Sequence, residues 1–254
     1  MIYDLQKASV WKRISAFLFD VILLVILAVS FCWALSAALG FDSHYEAMNS
    51  AYAKYEQEYG VSFNMTAEEY NALTEEEQQN YAEASKALSQ DSDAVYAYNM
   101  ILQLTILIST FGILAAFLAL EFGVPMLLGH GRTLGKKIFG IAVMKKDGVR
   151  VNGVCMFIRT ILGKFTIETM IPLMLIFMIF FNVMGMAGTA MLLLLLALEA
   201  GMFLFTRNHT TIHDELATTI TVDFASQMIF DSKAELIAYK EKVHAEKAAR
   251  KEYP

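Results

Sequence analysis

The chain has 254 residues, 56% of them hydrophobic, and a formal net charge of -6, with a mean hydropathy of +0.45. A soluble domain of this length shows alternating amphipathic elements; here long apolar runs replace them, which excludes that class. Two cysteines, Cys32 and Cys155, both in apolar surroundings, define neither a disulfide framework nor a metal site.

In chain order, residues 14–39 carry one charge, Asp20, after a basic start of Lys7, Lys12 and Arg13. A signal peptide has an apolar core of roughly 7–15 residues, so this longer run reads as a retained first membrane helix. Residues 40–98 are polar, acidic and tyrosine-rich. The pairs Thr66/Glu69 and Thr74/Glu77 are capping boxes, and Gly60 is a helix stop. The segment reads as a small helical insert, continuous with a second membrane helix from about Asp91. That helix, over residues 99–128, carries only Glu121 among charged side chains.

Residues 129–164 hold eight Lys or Arg against Asp147 alone. "GRTLGKK" departs from phosphate-loop spacing: three residues, not four, precede the second Gly, and no Ser or Thr follows the Lys. "IFGIAVMKKDGVRV" has an Asp147-Gly148 turn between β-prone runs, the pattern of a hairpin. A short hairpin at the membrane surface is expected, its basic residues against anionic lipid headgroups. Residues 165–206 carry only Glu168 and Glu199 and fit two spans, 165–184 and 188–206, at roughly 20 residues per crossing. The rest, 207–254, is a polar tail. Its Ser232 and Glu235 mark a helix start running to about Glu252. The fold class is therefore an all-α membrane protein with four transmembrane helices.

Charge sets the orientation. With four spans, both termini and the 129–164 loop share one side, and that side takes 18 of the 20 Lys and Arg. The positive-inside rule makes it the cytoplasm of a multi-pass cell-membrane protein. The insert, with twelve Asp or Glu against Lys54 and Lys86, faces outward as a solvated extension or a docking surface.

An ionisable residue inside a bilayer costs about 2.5–3.5 kcal/mol at the centre, so each needs a reason. Asp20, Glu121 and Glu199 fall at one depth, roughly 10 Å from the cytoplasmic border at 1.5 Å per residue; Glu168 is shallower. Pro125 takes a helical hydrogen bond from the Glu121 carbonyl, four residues back. These acids make a candidate proton or cation site. Equally, they hold the bundle by pairing with Arg13, Arg159 or Lys164. His209 and His213 have the spacing of metal ligands on a helix, but no Glu lies between them, and no metal is expected there.

"WKRISAFLFDVILL", "GRTLGKKIFGIAVMKKDG" with "FIRTI", and "HDELATT" together resemble the signatures of the RDD family of integral membrane proteins. The resemblance implies that Arg13 and Asp20 are its arginine and first aspartate, and Asp214 its second. It carries over Gly131, Thr133, Gly135 and Lys136, with Arg159 and His213 in the adjoining motifs. Thr218 departs, standing where the family often has Gly, and the insert is longer than usual. The family is associated with transport. The expectation is a small transporter or cation/proton exchanger, a homo-oligomer because four helices make a thin wall. The alternative is a non-transporting scaffold or accessory protein. Neither enzyme activity, cofactor nor nucleic-acid partner is expected.

Overall fold

The computed structural model describes residues 5–251. The expected orientation of the chain ends and the placement of Glu252 concern residues outside that range. Four helices are long and apolar enough to cross a membrane: α1 (Val10–Leu39), α5 (Ser92–Leu128), α7 (Gly153–Phe180) and α8 (Gly185–Phe205). Their outer faces are bare hydrocarbon. Ile22, Val29 and Leu194 are 60%, 63% and 71% exposed, a surface that is stable against lipid and not against water.

The chain forms two compact units, residues 29–113 and residues 1–28 with 114–254. In the first, Gly40 in the left-handed region (φ 68°) ends α1 and starts α2 (Phe41–Tyr59), and Gly60 (φ 65°) ends α2. Both capping boxes form, at the starts of α3 (Ala67–Asn71) and α4 (Glu75–Gln90). Rings of Tyr52, Phe63, Tyr70 and Tyr81 make a chain of contacts with centroids 5.2–5.7 Å apart. The insert does not run unbroken into α5. Asp91 leaves helical geometry at ψ 110°, and its Oδ1 accepts the Asp93 and Ala94 amides at 3.0 and 3.2 Å. It caps a new helix.

The second unit is built on strand β1 (Ile141–Lys145), which pairs antiparallel with β2 (Thr219–Asp223), Ile141 opposite Asp223 and Lys145 opposite Thr219. This changes the expected hairpin. The Asp147-Gly148 turn forms, with Lys145 N–H donating to Val149 O at 2.9 Å, but one bridge, Met144 to Arg150, is all that returns. The reason is packing. Ala142 and Met144 join Ile220 and Val222 on one face, while Val143 meets Val151, Cys155 and Met156 on the other. A distant apolar strand buries β1 on both faces; the charged return Lys146–Arg150 would not. Between α5 and β1 lies the short α6 (Leu134–Ile138). Helix α9 (Ile212–Leu216) precedes β2. The tail is α10 (Lys233–Lys251), where Ser232 Oγ accepts the Glu235 amide at 3.2 Å.

The third span starts at Gly153, not at 165. Asn152 caps it, its Oδ1 accepting the Cys155 amide at 2.9 Å. Arg159 and Lys164 marked this stretch as loop, but both are neutralised by carboxylates and lie on the helix. Two stretches, Phe117–Gly123 in α5 and Ile158–Met170 in α7, have wide π-type turns. Val124 N–H reaches Ala119 O, and Ile171 N–H reaches Thr166 O, each five residues back. Pro125 and Pro172 are each the second residue after these stretches. Widening the turn moves carbonyls away from a proline ring that would strike them.

Candidate functional site

Asp20, Glu121, Glu168 and Glu199, the acidic side chains expected within the spans, all lie in the second unit. Asp20 on α1 accepts the Thr133 hydroxyl at 2.5 Å and the Gly135 amide at 2.8 Å. Gly135 is required there: a Cβ would fall 2.9 Å from Asp20 Oδ1. Gly131 adopts φ 59°, and a Cβ on it would lie 2.9 Å from that of Val143. Together with Thr133, which caps α6, these glycines fold the basic loop down onto Asp20. Lys136, next in line, is buried enough for its ammonium to be pushed down to about 8; desolvation and Lys164 outweigh Glu121 and Asp20.

Asp214, on α9, is fully buried between two guanidiniums. Arg159 Nη1 bonds its Oδ1 and also the Thr219 hydroxyl, the latter at 2.5 Å. Arg13 Nη2 lies 3.2 Å from Oδ2. Arg13 also donates to the carbonyls of Asn208 and His209 and stacks over Phe203, 5.1 Å from the ring centre. Burial alone would raise the Asp214 carboxyl; Arg159, His213 and Arg13 outweigh it and hold it well below the usual carboxylate range. Arg13, Arg159 and Asp214 thus form one buried triad.

Glu121 is paired with Lys164, Oε2 to Nζ at 2.5 Å. The carbonyl freed by Pro125 is occupied: the Thr160 hydroxyl donates to it at 2.9 Å. A cation ligand at that carbonyl would have to displace Thr160.

Glu199 has neither Asp20 nor Glu121 among its hydrogen-bond partners. It meets Glu168 and His213, and one ligand atom from each of the three lies within 4.8 Å of the others. His213 donates its amide to Glu168 Oε1 at 2.8 Å, and its Nδ1 is 2.7 Å from Glu168 Oε2. Glu199 Oε2 accepts only the Ile212 amide, at 3.3 Å. Burial pushes the His213 imidazole down to about 4, so it is neutral at pH 7. His209 does not join it; its Nδ1 bonds the Phe203 carbonyl at 2.9 Å. Depth counted from span ends had set Glu168 apart. The early start of α7 and its wide turns put Glu168 beside α9 instead. One signal was present in the sequence: Glu168 precedes Pro172 by four residues, as Glu121 precedes Pro125.

A family model described as "RDD family" matches residues 7–218. The chain belongs to the RDD family. No curated protein and no solved structure matches it. Of the residues carried over from the RDD signatures, Arg13, Asp20, Gly131, Thr133, Gly135, Arg159 and Asp214 are those of the loop-to-helix contacts and the triad above, Lys136 follows Gly135 in α6, and His213 lies beside Glu168 and Glu199. Where RDD proteins often have Gly, Thr218 takes the left-handed conformation, φ 53°, so the backbone demanded by glycine is kept without it.

Proposed function

We propose that this RDD protein is a small cation transporter or exchanger whose ion-handling groups are Glu168, Glu199 and His213, while Asp20, Glu121 and Asp214 hold the bundle. One observation carries the reading. Among the described residues, Glu121 and Asp214 have Lys or Arg ion-pair partners and Asp20 is held by Thr133 and Gly135, whereas Glu168 pairs only with His213 and Glu199, beside them both, accepts one long bond from the Ile212 amide. Two neighbouring carboxylates at membrane depth with no Lys or Arg in ion-pair contact are favoured sites for a proton or an ion. In this reading both chain ends and the basic loop face the cytoplasm, in a cell membrane whose anionic headgroups meet that loop. A homo-oligomer encloses the pathway.

A scaffold or accessory role is the second reading. It is favoured by the pairing of Glu121 and Asp214, and by an open groove of about 350 Å³ in the insert, lined by Tyr52, Phe63, Tyr81 and Tyr98. Flux into proteoliposomes, scanned over cations and pH, separates the two. The transporter reading expects uptake that Glu168→Gln and Glu199→Gln abolish. Absence of flux for every cation would leave the docking role.

A further inference from the structure

We propose that Glu168, Glu199 and His213 bind a divalent transition-metal ion of the zinc class; this deepens, and rests on, the reading of the cluster as the cation site. The three ligands come from three elements, α7, α8 and α9. Zinc holds such ligands at about 2.0–2.2 Å, in sites of mixed imidazole and carboxylate. Tetrahedral ligands at that distance lie roughly 3.3–3.6 Å apart, so the His213–Glu168 contact, now 2.7 Å, opens slightly while Glu199, within 4.8 Å of both, closes by roughly 1 Å. Glu199, held only by a 3.3 Å bond from Ile212, is free to make that movement.

The imidazole is already placed for this use. Its Nδ1 lies 2.8 and 2.7 Å from the two Glu168 oxygens, and without metal the Nδ1 proton donates to that carboxylate. An incoming ion takes the place of this proton, which is released to solvent. The Thr211 hydroxyl, 3.0 Å from His213 Nε2 and 3.1 Å from both Nδ1 and Asp214 Oδ2, is the kind of outer support that fixes the ring of a metal-bound histidine. Imidazole in the set selects the class: Na⁺, K⁺, Mg²⁺ and Ca²⁺ favour all-oxygen ligands, whereas zinc accepts nitrogen with oxygen.

The test uses the purified full chain in detergent, titrated with ZnCl₂ against a competing chelator. Saturable binding of one zinc per chain is expected, undisturbed by a large excess of Mg²⁺. Glu199→Gln and His213→Gln should each weaken it at least tenfold. Glu199→Gln removes one of two facing carboxylates, so its melting temperature without metal should equal or exceed that of wild type while the zinc-induced rise disappears. A paired substitution in the exposed insert, Glu75→Gln with Glu76→Gln, should leave binding unchanged. No saturable binding, equal competition by Mg²⁺, or wild-type affinity in both Glu199→Gln and His213→Gln would overturn the site. Zinc binding without cation flux would sustain the site and remove the transport reading. Flux of another cation without zinc binding would do the reverse.

Discussion

At the scale of single residues, charge compensation governs the buried ends of the spans. Asp214 serves two arginines, so the three positions are not equivalent. Removing Arg13 leaves Asp214 still paired with Arg159. Removing Asp214 leaves two guanidiniums facing each other in a buried site. Breaking a buried pair costs about 3–5 kcal/mol, and Asp214→Ala should cost more than Arg13→Ala, with Arg159→Ala between them. Melting in detergent should rank the variants in that order, and the Arg13/Asp214 double mutant should lose less than the sum of its singles. Equal, additive losses would show that Asp214 is not shared. Lys136 gives the opposite sign. Its folded value of about 8 lies below the unfolded value, so between the two the unfolded chain binds more protons and stability rises with pH. Over pH 8 to 10.5 this group should add about 3 kcal/mol. Lys136→Met should be at least as stable as wild type at pH 7 and should lack that rise. A melting profile identical in both proteins would show that the ammonium carries no burial cost.

Among elements, what could be read from sequence was what depends on neighbours in the chain. Thr66 and Thr74 cap helices because their partners are three residues away, and apolar length alone marks four spans. What could not be read depends on distant partners. β1 takes its ladder from β2, more than seventy residues on, and no local pattern names that partner over the Asp147-Gly148 return. The start of α7 was hidden because Arg159 and Lys164 look like loop charges until their carboxylates are known. The Arg13–Asp214 contact was legible through two motifs, but the sharing by Arg159 was not. Glu168 was undervalued because depth was counted along a regular helix, and α7 is wide from Ile158 to Met170. Two substitutions probe these junctions. Thr218 holds φ 53° with a β-branched side chain, so Thr218→Gly should relieve about 1 kcal/mol and raise the melting temperature. Gly163 lies so close to α9 that a Cβ would fall 2.7 Å from His213 Cα. Gly163→Ala should therefore cost about 1–3 kcal/mol by overpacking. An unchanged melting temperature for Gly163→Ala would mean that α9 does not rest against α7.

For the whole molecule, the distribution of charge decides which face meets which compartment. Lys and Arg within short loops bias orientation far more than Asp and Glu do. Eighteen of the twenty basic residues lie outside the insert, which holds only Lys54 and Lys86. Four membrane crossings would put the 129–152 loop and the tail on one side and the insert on the other. Starting the third span at Gly153 carries Arg159 and Lys164 into the helix, yet both remain at its basic end, so the bias keeps its direction. The expected outcome is that the basic side is cytoplasmic. Lys86 and Lys146 are both exposed, one in α4 of the insert and one at the turn after β1. With Cys32 and Cys155 replaced by Ala, single cysteines at 86 and at 146 should react with a membrane-impermeant maleimide from opposite sides. In intact cells position 86 should label at once, and position 146 only after the membrane is opened. Labelling of both from one side would break the four-span topology. Labelling of 146 alone in intact cells would keep the four spans and reverse their orientation, moving the basic loop, Asp214 and the Glu168–Glu199–His213 cluster to the outer end of the bundle.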